Sequence, residues 1–155
     1  MANSTGPATD PPGRVMCGPS LSLILAQIQA HVMAGLPMLS LFGVEVVHAD
    51  PASATIKLSD GPHITRPGGS VAGPVLFAMA DVAAYALILA TRPDPHAVTV
   101  DLTIHFLRPA VKLPLFAVAT PLRAGRRLFI AEIVIWADAE PERKLVHATA
   151  TYALT

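Results

Sequence analysis

The hydrophobic and polar positions fall into stretches with two different periods. Val98, Val100, Leu102, Ile104 and Phe106 alternate with Thr99, Asp101, Thr103 and His105. A period of two marks a strand with one face against a core. Ahead of it, residues 71–90 are apolar nearly all round, with Ala78, Ala80, Ala83, Ala84 and Ala86 scattered through the run. That pattern predicts a helix enclosed by other elements, with small side chains that let their backbones come close. Gly73 is expected at its N-cap and Pro74 at the first helical position, where a missing N–H costs nothing. Upstream, Pro19-Ser20 opens a helix to about Met33, ended by Gly35 and Pro37. Strands are predicted over 43–50 and 52–58 around an Asp50-Pro51 turn, followed by a Gly- and Pro-rich loop over 60–70. Three more strands are predicted over 115–122, 127–137 and 144–154.

With the alternating strand these make four in succession on short connections, which predicts an antiparallel meander. The expected fold class is α+β: an antiparallel sheet of five to six strands wrapped around one long central helix, with an N-terminal helix added. Residues 1–18 read as a disordered tail and 19–155 as a single domain.

Composition sharpens this. A chain of 155 residues that is 52% hydrophobic and 14% charged can bury one sizeable core. Eleven basic residues balance eleven acidic ones, so the electrostatic footprint of a nucleic-acid binder is missing and nucleic acid is not expected as a partner. No polybasic run marks a membrane surface, and near-zero charge favours self-association. The lone Cys17 cannot form an intrachain disulfide, which fits a cytoplasmic setting. Residues 71–90 are long enough to span a membrane, but Asp81 lies near their middle and no aromatic belt or basic cluster flanks them. A core helix is the better reading, and no membrane is expected. The apolar run at residues 21–26 is short for a signal peptide and continues as a helix.

Asp81 is the only charged residue between Arg66 and Arg92. A buried, unpaired carboxylate costs several kcal/mol or is driven to its neutral form. Carboxylates in such settings concentrate where chemistry is done, and this one is read as a nucleophile or a general base for water. Gly73 offers a backbone N–H at a helix N-terminus, where negative charge on a carbonyl oxygen is favoured. The two stand eight residues apart, about 12 Å along one helix. One helix cannot bring both to one carbonyl; two antiparallel helices related by a two-fold can. If both serve one site, the protein is an obligate dimer. Residues 68–72 imitate a nucleophile elbow but lack the preceding strand and parallel sheet, and the glycines of that loop lack the Lys-Ser/Thr of a phosphate loop. The histidines show no metal-ligand spacing, and no metal is expected.

The run Arg66-Pro67-Gly68-Gly69-Ser70-Val71-Ala72-Gly73-Pro74, continued by Met79-Ala80-Asp81, resembles the hotdog-fold acyl-CoA thioesterases, specifically the phenylacetate-type (PaaI-like) branch. Leu41-Phe42-Gly43-Val44, Val98-Thr99-Val100-Asp101-Leu102, Phe106-Leu107-Arg108-Pro109-Ala110, Gly125-Arg126 and Lys144-Leu145-Val146-His147-Ala148 resemble it too, so that the likeness runs over about residues 37–154. The resemblance implies a thioesterase that hydrolyses an acyl- or aryl-CoA ester, with coenzyme A ester as substrate and no cofactor. It puts the active carboxylate on Asp81 and the oxyanion amide on Gly73 of a second subunit, in a homodimer or in a homotetramer built as a dimer of dimers. The family's loop Asn and His are replaced here by Arg66 and Ala72, and its second Gly by Pro74. The alternative is therefore a hotdog protein that binds acyl-CoA with weak or no turnover. A hotdog dehydratase is disfavoured because no His accompanies Asp81. Substrate-binding candidates are Arg66, Gly69, Ala72, His63, Tyr85, Arg108 and Arg126, with Phe77 and Phe106 as further pocket walls. Arg123, Arg127 and Lys144 are further basic residues at strand ends, where CoA phosphates could dock.

Overall fold

The computed structural model describes residues 21–92 and 96–155. The expected tail, Cys17 and the Pro19-Ser20 helix start lie outside the described residues. Helix α1 (Leu21–Gly35) and a 3₁₀ turn (Pro37–Leu41) lead into β1 (Val44–Ala49) and β2 (Ala54–Leu58). Then come α2 (Gly73–Thr91), β3 (Ala97–Phe106), β4 (Leu115–Ala124), β5 (Leu128–Ala137) and β6 (Val146–Leu154). The β1–β2 turn is tied by Asp50, whose Oδ1 accepts the N–H of Ala52 at 2.7 Å and of Ser53 at 2.8 Å. Those two amides hold its carboxyl below the usual aspartate range.

The six strands form one antiparallel sheet in the order β1-β2-β4-β5-β6-β3. α2 packs against all of them and against α1. Ten of its side chains are buried, including Met79, Ala83, Leu87 and Ile88. This is why a helix with a mean hydropathy of 1.8 sits in a core: the sheet wraps it and supplies its apolar surroundings.

Two expectations need correction. The last four strands are not one meander. β4, β5 and β6 run in sequence, but β3 pairs with β6, and the chain crosses from the sheet's edge to its middle before β4 begins. Connection length alone does not say which neighbour a strand chooses. The alternation of β3 is also broken. Its pairing with β6 slips between Thr99 and Asp101, which leaves Val100 as the extra residue of a bulge. Leu102, Ile104 and Phe106 pair with Ala150, Ala148 and Val146, all buried. Beyond the bulge the faces swap: Thr99 pairs with the buried Tyr152, and Val98 with the half-buried Ala153. Val98 and Val100 remain 65% and 61% exposed.

Candidate active site

The sheet leaves one stripe of α2 uncovered. Phe77, Asp81, Tyr85 and Leu89 are spaced one turn apart on it, and none of the four is buried. Asp81 is therefore half-buried, not sealed in the apolar core as its neighbours in sequence suggested. Nor is it unpaired. Its Oδ1 accepts the hydroxyl of Tyr152 at 2.6 Å and that of Thr99 at 3.1 Å. Oδ2 has no hydrogen-bond partner among the described residues. The bulge at Val100 accounts for the second contact, because it turns Thr99 toward the helix.

Tyr152 also lies 3.0 Å from the main-chain oxygen of Asp81, so one hydroxyl addresses both ends of the same residue. Burial, then the carboxylate beside it, hold the Tyr152 phenol well above the usual tyrosine range, so it remains a donor. Its ring stacks on Tyr85 at 6.4 Å and 13° between planes. The Tyr85 hydroxyl meets Nε2 of His31, on α1, at 3.0 Å, and burial raises Tyr85 as well. The chain has two tyrosines: Tyr152 bonds to this carboxylate, and Tyr85 stacks on Tyr152.

The helix N-terminus is built from backbone. Ala72, not Gly73, is the N-cap, with an extended backbone at φ −68° and ψ 140°; Gly73 and Pro74 are the first two helical residues. This moves the cap one residue upstream of the expected position and isolates one donor. Val75 and Leu76 both donate to the Ala72 carbonyl, and Pro74 has no N–H. Val71 and Ala72 donate to Ala110 and Ile64. The N–H of Gly73 alone in this turn has no partner among the described residues. Gly73 lines a cavity of about 420 Å³ together with Arg66, Ser70, Leu76, Phe106 and Arg108, among others. A Cβ on Gly73 would meet Phe106 at an ordinary 3.6 Å, so packing within one chain does not demand glycine here.

The remaining candidates divide. Arg66 lies on this cavity, with its Nε donating to Ser70 Oγ at 2.8 Å. Arg108 donates to the Lys144 carbonyl at 2.7 Å and joins the cavity to a neighbouring one of about 540 Å³, which Lys144 and Arg143 line with Glu140 and Glu142. The amide of Gly69 is taken by the Arg66 carbonyl, and that of Ala72 by Ile64. His63 is exposed at φ 73° and does not line the cavity. Phe106 is in its wall, whereas Phe77 and Tyr85 belong to the α2 stripe. Arg126 sits in the β4–β5 turn, whose Gly125 carbonyl accepts the guanidinium of Arg92 just past the far end of α2. One chain thus gathers Arg66, Arg108 and Gly73 at one end of the helix, Asp81 and Tyr85 at mid-helix, and Arg126 at the opposite end. Thr99 and Tyr152 were missed by sequence reasoning. For Tyr152 a signal existed, since it is the one hydroxyl among the inward positions Val146, Ala148, Ala150 and Tyr152.

The sequence profile of the Thioesterase superfamily matches residues 68–143, from the turn before α2 to just before β6. No curated protein matches by sequence. In structure the chain is similar to a Silicibacter protein named as a thioesterase, at 28% identity and a TM-score of 0.74, over 84% of this chain and 91% of that one. Its fold is also that of a Haemophilus influenzae thioesterase, at 20% identity and a TM-score of 0.73 over 84% and 90% of the two chains. Zebrafish thioesterase superfamily member 2 shares it at 21% identity and a TM-score of 0.74, over 84% and 98%. With one long helix wrapped by a six-stranded antiparallel sheet, the chain has the hotdog fold, and its residues 68–143 match the thioesterase superfamily, which supports thioester hydrolysis in general.

Proposed function

We propose that the protein hydrolyses an acyl- or aryl-CoA thioester in sites shared between two subunits, as a cytoplasmic, PaaI-like thioesterase. The observation that carries this is Asp81: a half-buried carboxylate held through Oδ1 alone, on the one stripe of α2 that the sheet leaves open. Gly73 lies eight residues away on the same helix, about 12 Å, so the oxyanion donor at Asp81 is the partner subunit's Gly73. In the general-base route Asp81 takes a proton from water while the water oxygen attacks the thioester carbonyl. The C–S bond breaks, and the proton passes to the departing thiolate, leaving a free acid and CoA. In the nucleophilic route the Asp81 carboxylate attacks the thioester carbonyl and the C–S bond breaks, giving a mixed anhydride and CoA thiolate; water then cleaves the anhydride to the free acid and the original carboxylate, and its proton passes to the thiolate. Either balances with water alone and calls for no cofactor. The cavity holding Gly73, Arg66 and Arg108, continued by Arg143 and Lys144, suits the phosphate-bearing end of CoA.

A second reading, acyl-CoA binding without turnover, is favoured by Arg66 and Ala72, since neither supplies the amide or imidazole that the resembling loops carry. Thiol release from a panel of CoA esters separates the two. Asp81→Asn is expected to lower turnover at least about 100-fold with ester binding retained. Equal rates for the native protein and the variant would remove Asp81 from the mechanism. Binding without release by the native protein would favour the second reading.

A further inference from the structure

Asp81 is gripped by one of its two oxygens, and a buried phenol does most of the gripping. Resting on the hydrolytic reading above, we propose that Tyr152 is the positioning residue of the reaction: its hydroxyl fixes the Asp81 carboxylate through Oδ1, so that Oδ2 is the oxygen presented to the thioester or to water. Tyr152 is 2% exposed and sits on β6, hydrogen-bonded to β5 on one side and β3 on the other. Strand pairing on both sides fixes its backbone. Its Oη reaches the side chain and the main chain of Asp81 at 2.6 and 3.0 Å, which ties the carboxylate's torsion to the helix backbone. Thr99, exposed on the edge strand and 3.1 Å away, adds a weaker second donor to the same oxygen. The stack on Tyr85, itself held by His31, sets the plane of the phenol. Packing alone would be served by phenylalanine, so the hydroxyl answers to the carboxylate.

The test is Tyr152→Phe, alone and combined with Asp81→Asn, assayed by thiol release with kcat and KM determined separately. Misplacing a reacting group by a fraction of an ångström lowers turnover steeply, so kcat is expected to fall about 10- to 100-fold while KM stays within about threefold. In the Asp81→Asn background the same change is expected to do nothing more, because the group being positioned is already gone. Native turnover in Tyr152→Phe, with Asp81→Asn inactive, overturns the positioning role and leaves the hydrolytic reading standing. An equal fall in both backgrounds marks a folding effect and overturns the role as well. Full activity in Asp81→Asn, or no thiol released by the native protein, overturns both.

Discussion

β5 and β3 are of equal length and both are hydrogen-bonded to β6, yet they meet opposite surroundings. On β5 every second residue, Phe129, Ala131, Ile133, Ile135 and Ala137, is at most 1% exposed. On β3, where apolar and polar residues alternate more cleanly along the sequence, no residue is buried. The difference lies beyond each strand. β5 has β4 at its other edge and α2 across its face, whereas β3 ends the sheet. Apolar periodicity therefore records that a face meets something; it does not say that the something belongs to the same chain. The uncovered stripe of α2, with Asp81 on it, lies beside this same open edge, since Thr99 of β3 bonds to Asp81.

Truncating matched residues on the two strands sharpens the contrast. Ile133→Ala is expected to destabilise the chain by about 2–5 kcal/mol, from lost burial plus an unfilled cavity. Ile104→Ala on β3, only half-buried, is expected to cost well under half of that in dilute protein. Urea unfolding at low concentration measures both. Similar costs would mean that β3 is covered within a single chain.

A smaller effect separates the strands at high pH. Tyr152, at the β6–β3 seam, has its phenol pushed above the usual range, while an unfolded chain ionises tyrosine near 10. Between those values the unfolded state has lost a proton that the folded state keeps. Stability is then complete below about pH 10 and declines as pH rises, by up to about 1.4 kcal/mol per unit from this group. Tyr152→Phe removes that part of the slope, so its stability and the native protein's are expected to converge between pH 9 and 11. Parallel curves would show that Tyr152 titrates as an exposed phenol.

Much of this was legible along the chain. Element types and the enclosed helix follow from local pattern, and Asp81 stands out along the chain, because periodicity and an isolated charge are local facts. What was not legible depends on pairing. Whether β3 adds to β4 or to β6 is decided by sheet closure around α2, which no window of residues contains. The bulge at Val100 interrupts nothing in the apolar–polar pattern, yet it reverses which face Thr99 and Val98 occupy. For that reason the donors to Asp81, drawn from 18 and 71 residues away, stayed hidden while the carboxylate did not. The N-cap moved from Gly73 to Ala72 on a similar principle, since the cap is set by which carbonyl Val75 and Leu76 can reach.

The gentlest change to a single chain is the most telling for the comparison. Val98 and Val100 project from the open edge at 65% and 61% exposure, so Val98→Lys with Val100→Lys is expected to alter the unfolding free energy of the dilute chain by no more than about 0.5 kcal/mol. A strand edge that no other strand among the described residues pairs with is a template for a second copy, and lysines are what proteins place there to prevent such pairing. Sedimentation is expected to show a dimer for the native chain and a monomer for the variant. Thiol release should disappear with the dimer, because Gly73 and Asp81 lie too far apart on one helix to share a carbonyl. A variant that stays assembled would move the contact between copies to another surface. A monomer that keeps full turnover would mean that one chain completes the site alone, with an oxyanion donor other than the amide of Gly73.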